Sequence, residues 1–148
     1  MPLIEVPQGF GYVAASLLST ALILQWQGFV VGSARKSAAV PYPQMYAEKA
    51  EAQNSKTAMI FNCKQRAHQN TLEHMPAIII MSLIAGAKYP LITAASTGLW
   101  SFSRILYTKG YATGDPKKRQ WGTWGELGQL VLLGASGKAV YDWISGGL

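Results

Sequence analysis

Phe10–Gly32, FGYVAASLLSTALILQWQGFVVG, carries no charged residue over about the length that a helix needs to cross a bilayer core. A helix on the surface of a soluble bundle must show a polar, charged face to water. This one has none, so the stretch is predicted to be a first membrane span. Gln25 and Gln27 are tolerable inside it if one of them faces another helix.

The rest of the chain agrees with that start. It has 148 residues, enough for a single membrane domain over 1–148; 49% of them are hydrophobic and 14% charged, against roughly 25% charged in ordinary soluble domains. The N-terminal MPLIEVPQ has no positive n-region, so the first apolar segment is expected to be retained. Cys63 is the only cysteine. That leaves no internal disulfide and no multi-cysteine metal site, and no metal is expected.

Downstream, charges return in SARKSAAVPYPQMYAEKAEAQNSKT, where Pro41 and Pro43 argue against a continuous helix. This is predicted to be a polar loop. The apolar tract Met75–Ala87 is too short to span alone and reaches spanning length only if its helix begins upstream, within FNCKQRAHQNTLE (Phe61–Glu73). A third segment, LITAASTGLWSFSRILY, has small residues suited to close helix packing and one interior charge, Arg104. A fourth runs from Trp121 to Ile144 with aromatic residues near its ends, as interfacial anchors stand. The predicted fold is an all-α integral membrane bundle of four transmembrane helices. Arg35, Lys36, Lys49 and Lys56 in the first loop, with Lys117, Lys118 and Arg119 in the third, predict both loops to be cytosolic.

On a helix, Arg66, Gln69, Asn70 and Glu73 fall on one face, while Lys64 and His68 point elsewhere. Ionisable groups at membrane depth pair, line a polar cavity or meet a ligand. Arg104, Tyr107 and Tyr111 share a face at the same end of the third segment. Cations, amides, phenols and one acid gathered at one side of a membrane match a small zwitterion with two carboxylates and an amine. Glutathione has that pattern; a lipid headgroup satisfies much of it.

RAHQNTLEHMP, the upstream ARK followed by VPYP, and RILYTKGYATGDPKKR occur in the order in which they appear in the membrane-associated proteins of eicosanoid and glutathione metabolism (MAPEG), and the chain resembles that family from the first span into the fourth. The resemblance implies a homotrimer in the endoplasmic reticulum or a related membrane, with glutathione bound between subunits as co-substrate. It implies glutathione contacts from Arg66, Asn70, Glu73, Tyr107 and Tyr111, with Arg35 reaching in from the adjacent subunit. His68 and His74 stand where the leukotriene synthase branch has glutamine and tyrosine, and His68 is expected to face the next subunit. The thiolate-stabilising arginine falls in PKKRQ, where Arg119 is the choice and an ungapped count gives Lys118.

The activity so implied is that of a glutathione transferase, with glutathione peroxidase activity possible, acting on a lipophilic electrophile or lipid hydroperoxide from membrane lipid. A cation beside the thiol lowers its pKa and raises the reactive thiolate fraction. The alternative is a non-catalytic lipid-binding scaffold that presents substrate to a partner enzyme. Nucleic-acid binding is not expected, because Arg66 and Arg104 lie within helices and the loop cations form no extended stripe. Cys63 reads as a small packing residue.

Overall fold

The structure, a computed structural model, describes residues 6–146. Those residues form helices and connections without a strand: α1 (Phe10–Ser37), a short α2 (Lys49–Asn54), α3 (Lys56–Gly86), α4 (Pro90–Tyr111), a 3-10 segment (Pro116–Gly125) and α5 (Glu126–Ser145). The four long helices pack as a bundle in which α4 lies against α1, α3, α5 and the 3-10 segment.

Boundaries differ from the sequence expectation in three places. First, α1 continues through Arg35 and Lys36, which stand in its last turn and not in the loop; cations there complement the negative end of the helix dipole. Second, α3 begins at Lys56, capped by the Ser55 hydroxyl, which accepts from the amide of Ala58. Its 31 residues extend roughly 46 Å at about 1.5 Å each. The polar stretch Phe61–Glu73 therefore lies within the helix and not at its start, and α3 outreaches a bilayer core of about 30 Å. Third, α5 starts at Glu126, not Trp121. The preceding ten residues, with the Trp121 and Trp124 anchors, form the 3-10 segment, whose start is capped by Asp115 accepting from the amide of Lys117.

Polar side chains are buried alongside the apolar core, and many large apolar ones stand exposed. Buried positions include Ser16, Thr20, Gln27, Thr71, Ser82, Thr93, Thr97, Ser103, Thr108 and Ser136. Leu18, Leu22, Phe29, Ile80, Leu83, Leu91, Phe102, Leu130 and Leu133 are exposed. Small polar residues let helix backbones approach and hydrogen-bond across the interface, while apolar residues meet lipid at little cost. Gln27 on α1 donates to Thr71 of α3 (2.9 Å) and Thr108 of α4 (2.7 Å), joining three helices at one point, whereas Gln25 is exposed. The same distribution explains why, of the described helices, only α1 is long and apolar enough to cross a membrane by length and composition. In α4 the polar residues that lower the average hydropathy are buried against its neighbours.

Where α3 meets α4 and α5, Met75, Ile78, Met81, Trp100 and Leu132 make an apolar cluster. A second cluster of Val31, Ala34, Val40, Ala47, Ala58 and Phe61 seats the 38–48 connection against α1 and α3.

Candidate functional site

The site is built on the N-terminal half of α3. Arg66 and Glu73, seven residues apart and so on one face, form a two-pronged ion pair with Nη1–Oε1 2.7 Å and Nη2–Oε2 3.0 Å. Both side chains are more than 40% exposed. The pair stands ready on an open face instead of being sealed in the bundle. Between them on the helix, Gln69 accepts from the Tyr46 hydroxyl, which brings the 38–48 connection over α3. Tyr46 lies within electrostatic range of Arg66, Glu73 and Tyr111, and burial pushes its phenol above the usual tyrosine range.

The facing wall comes from α4. Tyr107 and Tyr111, one turn apart and nearly buried, meet edge to face with ring centroids 5.2 Å apart. They pack with Cys63 and Ala67 of α3, so Cys63 is a buried packing residue here. Arg104, one turn earlier, has a fully buried side chain. Its guanidinium donates to Asn70 Oδ1 (3.1 Å), the Gly122 carbonyl (3.2 Å) and Glu126 Oε1 (3.3 Å), and lies over the rings of Trp100 and Tyr107.

The 3-10 segment straps across α4 and carries the last element of the site. Glycines make the close approach possible: a Cβ on Gly110 would meet the Lys118 carbonyl oxygen at 2.0 Å, and one on Gly122 the Ser103 carbonyl oxygen at 2.2 Å. The strap brings Arg119, itself exposed, within electrostatic range of the Tyr111 and Tyr107 phenols and of Arg66. Contact with Tyr111 strengthens the guanidinium's hold on its proton, and its charge is permanent at any physiological pH. Lys118 instead turns its backbone carbonyl towards Gly110.

The other expected site residues are placed apart from this group. Arg35 donates to the carbonyls of Gln44 and Met45 and stacks between Tyr42 and Phe61, tying down the connection within its own chain. His68 turns Nδ1 towards Gln27 Oε1 of its own α1 at 3.5 Å. His74 places Nδ1 2.8 Å from Gln129 Oε1 of α5 and packs against Trp100.

One end of the molecule thus gathers Arg66, Gln69, Asn70 and Glu73 from α3, Tyr107 and Tyr111 from α4, Tyr46 from the connection and Arg119 from the strap. No group of three or more His, Cys, Asp and Glu among the described residues is placed to hold a metal. A model described as the MAPEG family matches residues 13–141, from the first turn of α1 to near the end of α5. The chain belongs to the MAPEG family. Membership covers every element that builds the site and is consistent with transferase activity and a membrane location. Within this MAPEG chain, Tyr46, Glu126 and Gln129 hold Gln69, Arg104 and His74 in contacts that the sequence did not reveal. Glu126 had a faint signal, a lone acid at the head of an apolar segment; Tyr46 had none, because its partner lies 23 positions away.

Proposed function

We propose that this MAPEG chain is a membrane glutathione transferase, resembling microsomal glutathione S-transferase 3, whose thiolate chemistry extends to glutathione-dependent peroxide reduction. The observation that carries the reading is the exposed Arg66–Glu73 pair beside Tyr107 and Tyr111, with Arg119 on the strap within electrostatic range of both phenols and of Arg66. A permanent cation near two phenols shares one end of the molecule with a carboxylate and its guanidinium partner. Arg66 and Arg119 receive carboxylate or thiolate charge, Glu73 receives the amine, and Asn70, Tyr107 and Tyr111 supply hydrogen bonds. In the homotrimer, Arg35 and His68 of a neighbouring copy border the site and His74 lies at its membrane side. Four helices span the endoplasmic reticulum or a related membrane, with the first and third connections cytosolic.

In this mechanism the glutathione thiol loses its proton to water at the membrane surface, and Arg119 holds the thiolate by charge and direction without accepting a proton. In conjugation the sulfur lone pair forms a bond to the electrophilic carbon as its leaving group departs. In peroxide reduction the sulfur attacks the terminal oxygen and the O–O bond breaks. The alkoxide takes a proton, and the resulting sulfenic acid condenses with a second glutathione to give disulfide and water. Exposed apolar faces beside the site give a lipophilic substrate access from the bilayer.

The deciding experiment follows the ultraviolet absorbance of the thiolate as glutathione is added to detergent-solubilised protein, wild type against Arg119→Ala at equal oligomeric state. The expected result is a wild-type signal lost in the variant. Glutathione binding without any thiolate signal rejects the mechanism, and absence of binding transfers support to the lipid scaffold.

A further inference from the structure

Arg104 is buried beyond the reach of any ligand, yet three parts of the candidate site converge on it. One nitrogen reaches Asn70 on α3; another is shared by the Gly122 carbonyl of the strap and Glu126 at the head of α5; the flat face lies over Tyr107. A guanidinium only donates. The Asn70 atom facing Arg104 is therefore its carbonyl oxygen, which fixes an assignment that an amide otherwise leaves ambiguous. The Asn70 NH2 group is turned the other way and has no partner among the described residues.

We propose that Arg104 is a positioning residue with two effects: it locks Asn70 as a hydrogen-bond donor towards the ligand, and it clamps the strap that carries Arg119. The site then selects a ligand that presents an acceptor, an anionic carboxylate oxygen, to Asn70. A lysine cannot replace Arg104 in this role, because a single ammonium lacks the fork that serves acceptors on three elements at once. Glu126 keeps the buried cation paired without competing for Asn70. The identity of the ligand rests on the glutathione reading above; the clamp does not.

The test uses the full-length protein in detergent as wild type, Asn70→Asp and Arg104→Lys, with two readouts. Amide hydrogen exchange over residues 116–125 reports the clamp, and calorimetric titration with glutathione reports the donor. Asn70→Asp keeps an oxygen for Arg104 but turns an acceptor towards the ligand. Strap exchange should stay at the wild-type level while glutathione affinity falls by at least about tenfold. A purely structural role for Asn70 would not separate these two readouts. Affinity for glutathione diethyl ester, which lacks the charged carboxylates, should fall less. Arg104→Lys should raise strap exchange and weaken glutathione binding together.

Unchanged glutathione affinity in Asn70→Asp overturns the donor assignment, and unchanged strap exchange in Arg104→Lys overturns the clamp. If Arg104→Lys does not fold, Arg104→Gln, a neutral amide with too few donors for all three acceptors, takes its place in the exchange readout, and Asn70→Asp decides the donor assignment. If wild-type protein fails to bind glutathione, the functional reading falls while the exchange measurement still decides the clamp.

Discussion

At the scale of single residues, the site depends on groups whose partners determine what they offer. The Arg66–Glu73 pair is exposed, so it contributes little to folding and leaves both charges accessible. Tyr46 is the opposite case, a half-buried phenol whose hydroxyl is spent on Gln69. Burial holds its ionisation above the ordinary 10.0, whereas the unfolded chain releases that proton first. Above the ordinary value the unfolded state therefore binds fewer protons than the folded one, and stability falls as pH rises through that window. Below it the contribution is fully present. Tyr46→Phe should lower stability near neutrality by on the order of 1 kcal/mol, and its deficit against wild type should shrink in thermal melts taken at increasing alkaline pH. A deficit constant across that range would show that Tyr46 ionises equally in both states.

At the scale of elements, the strap is the decisive piece. Its path depends on Gly110, Gly122 and Gly125 lying against backbone or short side chains that cannot move aside. Gly122→Ala would set a methyl 2.2 Å from the Ser103 carbonyl oxygen and 2.5 Å from the Tyr107 amide. The two elements must separate, with an expected loss of about 1–3 kcal/mol. Arg119 then leaves Tyr111, so the thiolate signal should disappear even in protein that remains folded. Gly134 of α5 has open space around a would-be Cβ, and Gly134→Ala should leave the signal intact. The long helices were legible because their apolar tracts and Pro breaks are local. The strap was not: a basic run followed by Trp and Gly reads as loop and helix until the facing backbone of α4 is known.

At the scale of the molecule, apolar side chains face outward on all four long helices while hydroxyls, Gln27 and Arg104 are buried. Outward-facing apolar surface on every long helix is costly in water, whereas lipid accepts it. Leu22, near the middle of α1, is 63% exposed. On a soluble surface Leu22→Lys would change stability by within about 0.5 kcal/mol. In a bilayer it should cost about 2.5–3.5 kcal/mol of insertion free energy, seen as loss of the variant from the membrane fraction in a translation–insertion assay. Full recovery of the variant in membranes would place that face of α1 against something other than lipid.

From the sequence alone came the candidate first span, the helical class, the need for α3 to extend upstream of Met75 though not its start at Lys56, and the family with its polar stretch and tyrosine pair. These follow from composition, from spacing along one helix and from motifs, all carried by neighbours in the chain. Tertiary structure alone decided which polar groups are spent within the fold and which stay open. It committed Asn70's oxygen to Arg104, Gln27 to two threonines and Arg35 to loop carbonyls, and it left Arg66 and Glu73 exposed and brought Arg119 within electrostatic range of Tyr111. The physical reason is that a side chain's availability depends on partners brought close by packing, and no periodicity along the chain encodes the separation of 34 positions between Asn70 and Arg104.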